Sequence, residues 1–170
     1  MNIELRQLSE HAILPTFGTP ASACFDISAC LPVGTKVTSY NGANQQIIRE
    51  LTEPSLMFAP RERYLIPTGW AIKCPSGYAL RLFSRSGFAL KNGIVLGNAV
   101  GVVDEDYRHE VFVMLINTSR VSVRLEHGMR ICQGEMYQPF TDVDFSFKTV
   151  DNENWFTTER IGGFGSTGHK

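Results

Sequence analysis

KNGIVLGNAVGVVDEDYR, residues 91–108, carries the densest pattern in the chain. Two apolar runs, Ile94–Leu96 and Val100–Val103, are broken by Gly97 and Asn98 and followed by three acids, Asp104, Glu105 and Asp106. Gly-Asn between β-branched segments is a hairpin turn signal, so the stretch predicts two short strands paired back to back. Gly93, Gly97 and Gly101 leave backbone uncovered, which would let a flat ligand lie against main-chain N–H and C=O groups. With carboxylates and Tyr107 at its end, such a slot suits a small planar polar ligand and a reaction involving water. An ordinary hairpin with a solvated acidic end fits the stretch equally well.

Outward from that stretch the chain reads as all-β. It has 170 residues, enough for one domain with a real core, and its fifteen glycines and eight prolines punctuate many short β-branched runs. Ile3 and Leu5 alternate with Glu4 and Arg6, and SACFDISACL puts Phe25 and Ile27 on one strand face and Asp26 on the other. Further strands are read at Tyr64–Pro67, Trp70–Cys74, Tyr78–Phe83, Val121–Leu125 and Met129–Tyr137. Residues 33–60 lose the period and contain Asn41-Gly42, so they predict a surface excursion with an extra hairpin. Ser84–Lys91 predicts one short helix, capped by its serines and ended by Gly93. Val111–Ile116 is apolar at every position, which asks for cover on both faces, from a second sheet or a neighbouring subunit. Residues 1–150 are read as the domain, and 151–170, ending IGGFGSTGHK, as a mobile arm with no core-forming period.

Composition excludes several classes. A net charge of −1 gives no footing for polymeric nucleic acid or a membrane surface. The polar start MNIELRQLSEH predicts no signal peptide, and no apolar run has spanning length. Cys24, Cys30, Cys74 and Cys132 lack CxxC pairing and the histidines lack zinc-site spacing. The cysteines therefore read as reduced, mostly buried thiols of a cytoplasmic protein, in a cell or an infected host cell. Gly163–Gly168 matches GxGxxG formally, but no strand precedes it, so it is no dinucleotide fingerprint. Without a GxSxG elbow a serine hydrolase is not expected. Ser84-Arg85-Ser86-Gly87 offers hydroxyls, a guanidinium and open backbone to an anion, although helix capping alone would account for it. Gln133, in an apolar strand, is either a satisfied amide or a group that positions water.

Five segments together resemble the trimeric deoxyuridine triphosphatase (dUTPase) family: Ala23–Ile27, Ser84–Gly87, Gly97–Glu110, Arg130–Gln133 and Arg160–Gly168, in that order. The resemblance implies a jelly-roll-like β-sandwich that forms a homotrimer with shared active sites. It implies a dUTP diphosphatase: water attacks the α-phosphate and releases dUMP and pyrophosphate, which keeps uracil out of DNA and supplies thymidylate synthesis. Asp104 would be the base, with Gln133 holding the same water. Uracil would lie against Asn98, Gly101, Val102 and Val103 with Phe112 beside it, and Tyr107 would exclude a 2′-hydroxyl. Arg85, Ser86 and Gly87 would bind the phosphates. Mg²⁺ would chelate the phosphates and touch Asp26 through water. Arg160, Phe164, Gly165, Ser166 and Thr167 would close over uracil and the γ-phosphate. The chain departs from the family at Cys24 and His109, where Gly is usual, and at Ser84, where Pro is usual. Its fifth motif is also one residue short after Arg160.

The same fold serves dCTP deaminases, which place a catalytic Glu three residues before the Asn that ends the post-hairpin strand. Counted from Asn117 that position is Met114, which cannot shuttle a proton. A further alternative is a dUTP-sensing interaction protein that meets a protein partner through residues 33–60.

Overall fold

The computed structural model describes residues 2–139. The expected arm and its boundary near residue 150 lie outside the described residues.

The spine of the molecule is β7 (Arg63–Lys73), whose 11 residues are mostly buried. It pairs with β1 (Glu4–Gln7), β4 (Lys36–Tyr40) and β11 (Glu110–Asn117), all antiparallel. Outside them lie β5 (Gln46–Glu50), next to β4, and β9 (Ile94–Leu96), next to β11. The second sheet runs β10 (Gly101–Val103), β8 (Ala79–Ser84), β13 (Arg130–Tyr137), β3 (Phe25–Ser28), β2 (Thr16–Phe17). A separate ribbon joins β6 (Ser55–Phe58) to β12 (Val123–Glu126). Ile66, Val113 and Leu115 from the first sheet share one core with Ile27, Leu80 and Cys132 from the second. This is the expected β-sandwich, with a single helix among the described residues, α1 (Ser86–Asn92). No helix among those residues is long and apolar enough to cross a membrane.

Four expectations need correction. The two runs of the central stretch do not pair with each other. β9 lies on β11, with Leu96 opposite Leu115, and β10 lies on β8, with Val103 opposite Leu80. The Gly97-Asn98 turn forms, but it carries the chain from one sheet to the other. Three-residue strands gain more by joining longer partners than by forming an isolated ribbon.

Residues 33–60 are not a surface excursion. The hairpin predicted there is β4–β5, turned by the Asn41 side chain, which accepts hydrogen bonds from the main-chain N–H of Ala43 and Gln45. It extends the sheet, however, and Val37, Leu51, Leu56 and Phe58 belong to the core. Arg49 on β5 reaches the buried Glu62 at 3.2 Å, and the Tyr64 phenol donates to the same carboxylate.

Helix α1 begins at Ser86 with Arg85 at its N-cap, and no side chain caps it. Ser84 instead accepts a hydrogen bond from the Leu96 main chain at 2.8 Å, tying β8 to β9. Gly93 ends the helix as expected, left-handed at φ 67°. Lastly, Tyr64–Pro67 and Trp70–Cys74 are one strand, interrupted only by a bulge at Thr68–Gly69.

Strand β11 alternates in burial despite its uniform composition. Val111, Val113 and Leu115 are buried, while Phe112 is 40% and Met114 38% exposed. The second sheet therefore covers one face only, and the other is open in a single chain. The four cysteines are free, three of them buried.

Deleting residues 36–57 should leave no folded protein, because it removes β4, β5, most of β6 and the core side chains Val37, Leu51 and Leu56. A cooperative unfolding transition in the deleted protein would contradict this. Burial pushes the Cys132 thiol and the Tyr64 phenol each up to about 12. Both are neutral when folded, so their contribution is whole below about pH 8.5 and is lost as pH climbs towards about 12. Urea titrations at rising alkaline pH should show unfolding free energy falling across that window.

Candidate active site

Two groups of the expected residues form two separate clusters. The first is built on Asp26. Its strand β3 pairs with β13, which sets Asp26 opposite Gln133. The Asp26 carboxylate is nearly buried and would be costly without cations. Arg85 Nε meets one of its oxygens at 2.9 Å and Arg130 Nη1 meets the other at 2.9 Å. Arg85 also donates to the Arg130 carbonyl at 3.2 Å, so the two guanidinium groups are braced against each other. A cleft of about 440 Å³ opens beside them, lined by Arg85, Gly87, Lys91 and Arg130 among others. Gly87, in the first turn of α1, lines this cleft next to Ser86, and the first turn leaves main-chain N–H groups without helical partners. Such a cluster suits a polyanion.

The second cluster is a slot of about 300 Å³ lined by Val102, Val103, Asp104, Tyr107 and Phe112, with Leu65 and Val111 behind. β10 is the edge strand of its sheet, so one row of its N–H and C=O groups has no ladder partner and is available to a ligand. The three acids behave differently. Glu105 accepts the main-chain N–H of Gly77 at 2.8 Å. Asp104 is exposed, and its carboxylate makes no hydrogen bond or ion pair among the described residues; it faces both the slot and a second cleft of about 460 Å³. Of the acids, Asp104 alone lines the slot. Tyr107 donates its phenol to the Glu110 carbonyl at 2.9 Å, and the His109 ring packs edge-on against it at 5.7 Å.

Asn98 is exposed on the turn and does not line the slot. Gly101 is buried, and a Cβ there would meet Leu82 at 3.1 Å, so close packing on β8 accounts for that glycine. Arg160, Phe164, Gly165, Ser166 and Thr167 lie outside the described residues. Arg130 enters the sequence reading only as the start of the fourth motif, with no role, and Leu65 has no place in it as a site residue. Arg130 had a signal, since a lone Asp in a buried strand needs cations; Leu65 had none, lying in an ordinary strand.

The two clusters occupy opposite ends of one sheet. Val103 is opposite Leu80, whereas Arg85 lies five residues further along β8 and its continuation. At ~3.3 Å per residue that is roughly 17 Å, too far for both to serve one phosphate and one water. Gln133, opposite Phe83, belongs with the cations.

The donors fit a metal ion only in a limited way. No group of three or more His, Cys, Asp or Glu among the described residues is arranged to hold one. Asp26 already gives both oxygens to arginines, so a divalent cation would have to be carried mainly by a ligand's own oxygens, with water between it and Asp26.

A dUTPase family model matches residues 50–168. The chain belongs to the dUTPase family. A deoxyuridine 5′-triphosphate nucleotidohydrolase of Finegoldia magna is 38% identical over 128 residues, covering 75% of this chain and 87% of that protein. The dUTPase fold is shared with solved structures of lower identity. That of the Staphylococcus bacteriophage 80alpha dUTPase with dUPNHPP aligns at a TM-score of 0.72 and 21% identity, over 99% of both chains. A mutant dUTPase from phage phi11 of S. aureus, described as coordinating a structural Mg(II) ion, aligns at 0.67 and 18% identity, over 89% of this chain and 98% of that one.

Within this dUTPase, exposure separates the two arginines. The Arg85 side chain is 26% exposed and that of Arg130 57%. Arg85→Ala should cost about 1–3 kcal/mol, because it strips a nearly buried carboxylate of its better partner. Arg130→Ala should cost about 0–1 kcal/mol, as for a solvent-screened pair. Chemical denaturation of both variants checks the order, and a larger loss from Arg130→Ala would reverse it.

Proposed function

We propose that the chain hydrolyses dUTP to dUMP and pyrophosphate at a composite site, where the slot of one copy meets the arginine–aspartate cluster of another. The observation that carries this reading is the separation of the two clusters along one sheet. Each holds half of what the reaction needs, and their separation of roughly 17 Å along β8 supports the halves coming from different copies. The open apolar face with Leu65, Phe112 and Met114 adjoins the slot and supports contact with a neighbouring copy, as a homotrimer.

Uracil would lie in the slot against the edge of β10, read by main-chain groups at Val102 and Val103, with Phe112 alongside. A rigid main chain cannot swing aside for the thymine methyl group or reverse its donor order for cytosine. Tyr107 would lie against the sugar where a 2′-hydroxyl would otherwise fit. Asp104, free of other partners among the described residues, takes a proton from water as the oxygen attacks the α-phosphorus. The bond to the bridging oxygen breaks, its electron pair leaves with pyrophosphate, and Asp104 returns the proton to solvent. Gln133 of a neighbouring copy would orient the same water. Arg85, with Ser86 and Gly87, would hold the phosphates where charge develops. Mg²⁺, when bound to the triphosphate, would neutralise charge and fix its conformation, reaching Asp26 through water. Arg160, Phe164, Gly165, Ser166 and Thr167 are assigned to closing the site by the family resemblance. We place the enzyme in the cytoplasm, consistent with its free thiols.

Nothing favours deamination, since the side chain at the deaminase acid position is Met114. Partner binding through residues 33–60 would have to use the outer surface of that segment, since its inner side chains build the sheet and core.

Incubation with each deoxynucleoside triphosphate and UTP, plus Mg²⁺, should show dUTP consumed at least about a hundredfold more efficiently than the others. Comparable turnover of dTTP would overturn the uracil assignment. Asp104→Asn should keep the fold and lower kcat by about 10²–10⁴-fold. Hybrids test the shared site directly. Asp104→Asn and Arg85→Ala are each expected to be inactive, yet mixed oligomers should recover activity in roughly a quarter of their sites on random assembly. Hybrids as dead as their parents would show that one chain supplies both groups.

A further inference from the structure

We infer that Glu110 is the positioning residue for Tyr107, and that through it the bulge in β7 sets the discrimination between deoxyribose and ribose. The inference rests on the reading of the slot as the nucleoside site.

The ladder between β7 and β11 breaks where the slot begins. Glu110 is opposite Ala71, but Phe112 is opposite Pro67, so β7 carries two more residues than β11 across this interval. The extra residues include Thr68 and Gly69, both buried, with Gly69 left-handed at φ 75°. That conformation has no room for a side chain, since a Cβ on Gly69 would meet Ala12 at 2.6 Å. Donors released from the regular ladder need other acceptors in a buried bulge.

Strand β11 supplies both acceptors. The Gly69 N–H donates to Glu110 Oε1 at 2.8 Å, and the Thr68 hydroxyl donates to the Val111 carbonyl at 2.7 Å. These bonds, to the Glu110 side chain and to the Val111 carbonyl, flank the Glu110–Val111 peptide where regular pairing lapses. The carbonyl of Glu110 in turn accepts the Tyr107 phenol at 2.9 Å. Tyr107 is 37% exposed on its loop, the His109 ring packs against its edge, and its phenol makes no other hydrogen bond among the described residues. Its ring is therefore held at the tip by one carbonyl whose own position depends on the Glu110 carboxylate. An aromatic side chain that rejects a hydroxyl must not yield, because a shift of a fraction of an ångström would make room for it. Glu110 touches no part of the nucleotide in this scheme and acts only through Tyr107.

The test measures kcat/KM for dUTP and for UTP on the same preparations, together with thermal unfolding. A merely structural role for Glu110 would lower stability without changing the ratio of the two substrates. Glu110→Ala and Tyr107→Phe should each lower the dUTP/UTP ratio by about tenfold or more, and the double variant should fall little further. Glu110→Gln keeps an acceptor oxygen for the Gly69 N–H and should hold the ratio within about threefold. A folded Glu110→Ala variant with a ratio within about twofold of the wild type overturns the inference. If Glu110→Ala does not fold, Tyr107→Phe decides, since it removes a single hydroxyl at an exposed position; an unchanged ratio there overturns the inference as well. Failure of the wild type to hydrolyse dUTP would overturn the proposed function itself, and the inference with it.

Discussion

Between Leu96 and Gly101 the chain leaves one sheet and joins the other, and the position of the slot follows from that crossing. β9 ends as the edge of the first sheet and β10 begins as the edge of the second. The slot is the seam between them: Val102 and Val103 come from one sheet, Leu65 and Phe112 from the other. A seam is where ladders stop, so main-chain donors and acceptors are free there without any loss inside the core. Leu80, Leu96 and Val113 belong to the core between the sheets, while the unpaired polar backbone lies at the rim. Gly97 makes the crossing tight, since a Cβ there would press on Met114 at 3.2 Å.

The same economy governs the charged groups. Asp26 is the one carboxylate in β3, and two guanidinium groups bracket it from α1's N-cap and the start of β13. That arrangement keeps Arg85 from collapsing onto the surface and aims its free edge at the neighbouring cleft. Asp104, the base of the proposed reaction, would stand under the opposite constraint. A base must be free to take a proton, and a carboxylate already bound by arginines is a poor one.

The fold class was legible because turn residues and β-branched runs act locally, and so was the end of α1 at Gly93. Pairing was not legible, because it is decided by distant partners. Nothing within Ile94–Val103 reveals that Leu96 will face Leu115 while Val103 faces Leu80. The segment 33–60 was misread for a different reason. Its strand KVTSY turns Val37 and Ser39 inward, and the buried serine hides the apolar period because Arg49 satisfies its hydroxyl at 2.8 Å. Of the site, residue types and their order were legible, but the Asp26–Arg130 pair and the Glu110–Gly69 contact join residues remote in sequence. The separation of the two clusters along β8 required the register.

The outer face of the first sheet remains to be accounted for. Leu65, Met114 and Phe112 are each more than a third exposed, and an apolar groove of about 410 Å³ runs past Leu65 and Met114 to Tyr40. An isolated soluble domain has no reason to keep so contiguous an apolar surface. The groove and the slot are not independent, because Leu65 lines both. A neighbouring copy that covers this face would therefore also wall the slot, and the area it buries would desolvate the ligand's surroundings. Binding and assembly would then be thermodynamically linked: whatever stabilises the assembled form favours the closed slot, and a ligand in the slot favours assembly in return. On this view the uniform hydrophobicity of Val111–Ile116 is the form that linkage takes in the sequence, one face of β11 serving the core and the other the shared site.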